Sequence, residues 1–139
     1  MEVILADYLG FCYGVKRAIM IARENASADG TACTLGPIIH NPQMVERLKS
    51  EGVGTVDRLD DMGKGTVIIR SHGVGPRVYA EAAARGLELV DATCPHVKKA
   101  QLSAKTLVDE GYHVVIIGER EHPEVRSIFE WSDGQAEII

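Results

Sequence analysis

The chain has 139 residues, enough for one ordinary domain with a real core. Its 45% hydrophobic and 25% charged residues are the proportions of a globular protein, and a formal charge of −5 without a basic run argues against nucleic acid as a partner. No apolar stretch approaches membrane-spanning length and residues 1–5 lack the features of a secretory leader, so no membrane partner and a cytoplasmic location are expected.

Met1 to Leu5 opens a short strand, centred on Val3 to Ala6. A loop from Asp7 to Gly14 follows, with Gly10 and Gly14 flanking Cys12, so the backbone there can take unusual dihedrals or approach a ligand closely. Val15, Ala18, Ile19, Ala22 and Ala26 recur at helical spacing, and the helix frays into Ser27-Ala28-Asp29-Gly30. Thr31 to Leu35 is a second strand, broken by Gly36-Pro37. Asn41 is a good N-cap with Pro42 at the first helical position, and the helix it opens ends at Glu51-Gly52.

A short strand over Gly54 to Val56 leads into a polar segment, Asp57 to Gly65, that reads as loop or short helix. Thr66 to Arg70 is a buried strand delivering Ser71-His72-Gly73. Pro76 opens a helix that Gly86 closes, and Leu87 to Val90 is the next strand. It runs into Asp91-Ala92-Thr93-Cys94-Pro95, where Thr93 is a candidate N-cap and Pro95 a first-turn residue. Cys94 thus sits between a strand's carboxyl end and a helix's amino end, where positive partial charge favours a thiolate ligand or nucleophile. The following helix ends at Gly111. Val114 to Gly118 is another buried strand, His122-Pro123-Glu124 opens a helix, and Ala136 to Ile139 begins another strand.

Strands alternating with amphipathic helices, and strands apolar on both faces, argue for a parallel α/β architecture. Ligands in such sheets bind beyond the strands' carboxyl ends. That rule gathers Cys12, His40, Ser71, His72, Cys94, His122 and Glu124 on one rim. Residues 1–94 read as a first α/β unit and 95–139 as an incomplete second one.

Each rim residue has a bland reading as well. Cys12 and Cys94 are either buried structural thiols or ligands, and their glycine and proline neighbours favour ligation. Cys33 alternates within a strand and reads as buried. Three cysteines make a disulfide framework unlikely, and the absence of a Cys-x-x-Cys pair removes support for a zinc ribbon. A lone histidine is usually a cap or a core residue. Three on one rim, His40, His72 and His122, suggest an anionic pocket in which imidazoles and helix amino ends donate to phosphate oxygens. Glu124 is either a first-turn acid favoured by the helix dipole or a proton donor. Lys16, Arg17, Lys98 and Lys99 read as solvated helix faces.

Taken together, Gly10-Phe11-Cys12-Tyr13-Gly14-Val15, Gly36-Pro37-Ile38-Ile39-His40-Asn41, Arg70-Ser71-His72-Gly73, Asp91-Ala92-Thr93-Cys94-Pro95 and His122-Pro123-Glu124 resemble the 4-hydroxy-3-methylbut-2-enyl diphosphate reductase family. The resemblance runs along the whole chain and matches the amino-terminal portion of that enzyme. It implies three similar α/β units around a central [4Fe–4S] cluster, with this chain ending inside the second. It implies that Cys12 and Cys94 are cluster ligands, that His40, His72 and His122 contact the allylic diphosphate substrate, and that Glu124 delivers the catalytic proton. The implied reaction is reductive dehydroxylation to isopentenyl and dimethylallyl diphosphate in the methylerythritol phosphate pathway, with ferredoxin or flavodoxin as electron donor. The family's third cluster cysteine falls beyond Ile139, so this polypeptide alone is expected to hold a cluster poorly and not to turn over. The competing readings are an α/β module that binds a phosphorylated metabolite without redox chemistry, and a structural Cys/His zinc site.

Overall fold

In the computed structural model, residues 2–7, 9–27 and 29–139 are described. Met1, Tyr8 and Ala28, which the sequence assigns to the first strand, the following loop and the frayed helix end, lie outside the described residues. The chain runs α1 (Tyr13–Glu24), β1 (Ala32–Leu35), α2 (Pro42–Ser50), β2 (Val53–Val56), a 3-10 turn at Leu59–Asp61, β3 (Thr66–Ile69), α3 (Pro76–Ala84), β4 (Glu88–Asp91), α4 (Pro95–Asp109), β5 (Val115–Ile116), α5 (Pro123–Trp131) and β6 (Glu137–Ile138). The polar segment before β3 therefore holds a single tight turn, its Leu59 buried and its two acids outside.

Four strands form one parallel sheet in the order β2-β1-β3-β4, and β5 pairs with β6, also in parallel. An α/β fold with a parallel sheet is what the strand–helix alternation predicts. The reason is visible in β3, where successive side chains leave opposite faces of the sheet. Ile68 joins Ala18, Ile19 and Ala22 of α1 and Leu48 of α2 on one face. Val67 and Ile69 join Leu59, Val74 and Ala82 of α3 on the other. A third, smaller core of Ala104, Val114 and Ala136 lies beneath α4, α5 and the two-stranded sheet. The strand expected to be buried over Val114 to Gly118 is shorter and half open, because a two-stranded sheet covers only one face: β5 is Val115–Ile116, and Val115 and Ile117 are 44% and 84% exposed.

The expected strand at Val3 to Ala6 is absent. Residues 2–6 are irregular, and Val3, Ile4 and Leu5 are 71%, 83% and 72% exposed. A strand exists only through a neighbour's ladder, and among the described residues none lies alongside this segment. Its β-branched, apolar composition supplies propensity but not a partner.

Helix starts follow local chemistry. Asn41 Oδ1 accepts from the amide of Met44 at 2.9 Å, and Pro42 occupies the first turn. Thr93 is not a cap. Because Pro95 is already the first helical residue, the cap falls one place later, on Cys94. Thr93 instead donates its amide to the Asp91 carboxylate at 3.0 Å, while its hydroxyl is buried without a partner among the described residues.

Candidate functional site

The strand order sets the site. The chain leaves β1 through α2 on one face of the sheet and leaves β3 through α3 on the other, although β1 and β3 are neighbours. Connections that part in this way open a crevice at the strands' carboxyl ends. His40 follows β1 and His72 follows β3, so both stand at that crevice. Ser71 fastens the two loops together. Its amide and its hydroxyl both donate to the Ile38 carbonyl, at 3.2 and 2.9 Å, and its own carbonyl accepts from the amide of Cys94 at 2.9 Å. One buried serine thereby joins the loops after β1, β3 and β4.

His122 reaches the same place from the second sheet, as the N-cap of α5. The ring centroids of His40 and His72 are 4.4 Å apart, those of His40 and His122 5.4 Å, and those of His72 and His122 5.6 Å. One nitrogen from each ring lies within 4.8 Å of the others. His122 Nδ1 accepts from the amide of Glu124 at 3.2 Å. In a neutral ring this assigns the proton to Nε2, which makes His122 a hydrogen-bond donor at its free end. His72 is half-buried with Nδ1 unpartnered among the described residues. Burial, and then the positive fields of His40, Arg70 and His122, push its pKa from 6.5 down to about 4. A half-buried ring disfavoured in its charged form by its cationic neighbours is poised to gain from an anion.

The helix starts that carry the two rim cysteines meet at Gly14. Cys12 is the N-cap of α1 and Cys94 the N-cap of α4, and neither side chain is spent on capping its helix. Cys94 Sγ rests against Gly14, in the first turn of α1, where any side chain would overlap the sulfur. Gly14 is thus required for close approach, whereas Gly10 adopts φ 100° and serves the loop's dihedral needs. Two uncommitted thiols at converging helix amino ends fit a thiolate-ligated metal group as part of its donor set. Cys33 stands apart in β1, against Gly54, with burial raising its thiol pKa.

Glu124 is half-buried in the first turn of α5, two residues from His122. Its position is held by two residues that motif reading passes over. Ser127 Oγ lies 2.8 Å from the Glu124 carbonyl and 2.9 Å from the His72 carbonyl, and Gln101 Nε2 of α4 donates to it at 3.1 Å. Gln101 and Ser127 are 1% and 2% exposed. The usable signal was a glutamine on the apolar stripe of Val97 and Ala104. Two of the helix-face cations make polar contacts, Arg17 half-buried and Lys98 exposed as the sequence suggests. Arg17 Nη1 donates to the Thr93 carbonyl at 3.2 Å, and Lys98 Nζ pairs with Asp91 at 2.7 Å. Burial works against ionising Asp91, but the hydrogen bonds from Lys98 and Thr93 prevail and hold its pKa below the usual range. A recess of about 620 Å³ lies between α1 and α4 over Leu102 and Leu107; no rim cysteine or histidine lines it.

The family model described as LytB protein matches residues 3–139. A 4-hydroxy-3-methylbut-2-enyl diphosphate reductase of Geobacter sulfurreducens is 50% identical over all of this chain and 49% of its own length. One from Dehalococcoides mccartyi is 49% identical over 96% of this chain and 47% of its own length. Among solved structures, an (E)-4-hydroxy-3-methyl-but-2-enyl diphosphate reductase superposes with a TM-score of 0.82 at 43% identity, covering 99% of this chain and 50% of that one. The E-1-hydroxy-2-methyl-but-2-enyl-4-diphosphate reductase from Plasmodium falciparum gives a TM-score of 0.89 at 29% identity, over 94% of this chain and 42% of that one. The chain therefore spans about half the length of these relatives. With the same architecture along that half and the family's pattern running from residue 3 to residue 139, this chain belongs to the LytB protein family.

Proposed function

We propose that this chain carries the amino-terminal share of the site for reductive dehydroxylation of 4-hydroxy-3-methylbut-2-enyl diphosphate to isopentenyl and dimethylallyl diphosphate. The observation that carries the reading is the histidine cluster, three rings from three separate loops with their nitrogens within 4.8 Å. His40, His72 and His122 bind the diphosphate, and the Nε2–H of His122 donates to a phosphate oxygen. A donor fixed at that nitrogen favours an oxyanion over a metal ion at the three rings. Glu124, carried by the same helix start as His122, holds the proton delivered to the departing oxygen or the allyl carbon.

Cys12 and Cys94 are the residues that would hold an iron–sulfur cluster, which when bound supplies electrons and a Lewis-acidic iron to the substrate hydroxyl. The nuclearity we assign is [4Fe–4S], with a ferredoxin or flavodoxin as electron source and a cytoplasmic setting, all on likeness to the family. Residues 1–94 form the first unit in this reading, and 95–139 belong to the second.

Anaerobic reconstitution with iron and sulfide tests the assignment. Visible charge-transfer absorption is expected to be weak in this chain, to vanish in Cys12→Ser and Cys94→Ser, and to survive in Cys33→Ser. In parallel, calorimetry with the substrate diphosphate should show binding that His72→Gln and His122→Gln abolish. Absorption that depended on Cys33, or diphosphate binding indifferent to the histidines, would refute the proposal.

A further inference from the structure

Behind the histidine cluster lies a separate cavity of about 310 Å³, and none of the three histidines lines it. Arg70, the residue after β3, and Arg126 of α5 both contribute to its wall. Arg70 is the less usual of the two. Its Nε is buried with no hydrogen-bond partner among the described residues, and its Nη1 lies 2.6 Å from where a Cβ of Gly36 would stand. Burial, reinforced by the positive charge of Arg126, disfavours its ionised form. Among the described residues no carboxylate forms an ion pair with either guanidinium.

Two acids do line the cavity, but neither neutralises the arginines. Asp57 is exposed. Glu130 turns its carboxylate toward Gly75, the residue that caps α3 and has no side chain of its own to do so. A half-buried guanidinium left unpaired beside a second one is costly, and its natural complement is an oxyanion taken by both forks.

We propose that this cavity is a second anion site, specific for a phosphate-sized oxyanion and bridged by Arg70 and Arg126. It is distinct from the histidine cluster yet adjoins it through the backbone. Gly73 and Pro123 line the cavity, one residue beyond His72 and His122 respectively. Ser127, whose hydroxyl holds the His72 carbonyl, lines it too. An anion bound there screens Arg70, one of the charges that His72 feels. Occupancy of the rear cavity would then adjust the front cluster without touching its ligand.

The test is a titration of the ¹⁵N-labelled chain with inorganic phosphate at constant ionic strength, run on the His72→Gln/His122→Gln variant so that the front cluster is disabled. Saturable shifts are expected at the amides of Gly36, Gly73 and Gly75, which line the cavity. Arg70→Gln and Arg126→Gln should each weaken that response by about tenfold or more, the scale of one lost charge-assisted pair. Arg126 is exposed, so its variant gives a result even where Arg70→Gln perturbs folding. Shifts absent from these amides, unchanged in Arg126→Gln, or matched by acetate at equal concentration would overturn the site. In the unsubstituted chain, phosphate shifts confined to His40 and Asn41 would refute the rear site alone. Shifts confined to Gly36 and Gly75 would support it while counting against the histidine reading.

Discussion

The Ser127 hydroxyl stands 2.9 Å from the carbonyl oxygen of His72, although the two residues are 55 positions apart, one on helix α5 and the other in the loop after β3. With Gln101 donating to the same hydroxyl, this contact fixes the angle at which α5 presents His122 and Glu124 to the crevice.

Replacing Ser127 with alanine should therefore cost more than one ordinary hydrogen bond. It leaves the His72 carbonyl and the Gln101 amide without that partner in a dry interface, at about 1–3 kcal/mol for each group so stranded. The expected result is a clearly lower urea midpoint with an unchanged m-value, together with weaker diphosphate binding. A midpoint equal to that of the unaltered chain would show that the tie carries no load.

Gly14→Ala sets two effects against each other. Alanine gains about 1 kcal/mol of helix propensity over glycine. The new methyl overlaps Cys94 Sγ, and overpacking of this kind costs about 1–3 kcal/mol. Steric cost should win, pushing the Cys94 thiol outward. Alkylation of Cys94 should then speed up relative to Cys33, and the iron–sulfur chromophore should be lost. A Cys94 that reacted as before would mean the thiol has another rotamer to adopt at no cost.

The pH dependence of stability has a definite sign. His72 has a folded pKa near 4 against an ordinary 6.5, so between these values the unfolded chain binds the extra proton. Stability should fall as pH drops from about 6.5 to about 4, with no further contribution from His72 below that range. Urea midpoints taken across the window should show the slope, and His72→Asn should flatten it. A diphosphate bound to the cluster should raise the His72 pKa, so binding within the window should take up protons from the buffer.

Asn41→Ala removes the side chain that accepts from the Met44 amide at 2.9 Å. The loss should be about 1 kcal/mol, as for other N-caps, because Pro42 still fixes the first turn. Asn41 also follows His40 directly, so loosened diphosphate binding should accompany the loss. Thermal unfolding and calorimetry on one preparation would separate the two effects.

Much of this was legible in the chain. The strand–helix alternation gave the parallel sheet, and position after successive strands selected His40, His72, His122 and the two cysteines, since topology brings strand ends together wherever they fall in sequence. What stayed hidden depended on partners rather than on pattern. Val3 to Leu5 has strand composition, yet pairing is decided by a neighbour the local sequence does not encode. Gln101 and Ser127 resemble surface residues by type, and only the packing of α4 on α5 reveals that they meet. Gly14 was visible as a glycine, but the reason for it is a sulfur 80 residues away in the chain.

Cys94 caps helix α4, which bears Gln101 seven residues later, about 10 Å along a rigid rod. Through Gln101 and Ser127 that rod ends on the His72 carbonyl. If a metal group is held at the thiol end, as proposed, it would hold the histidine end in place as well. By thermodynamic reciprocity, a ligand seated among the histidines would then stiffen the thiol end to the same degree, so that each occupant would become a cofactor for the other's retention.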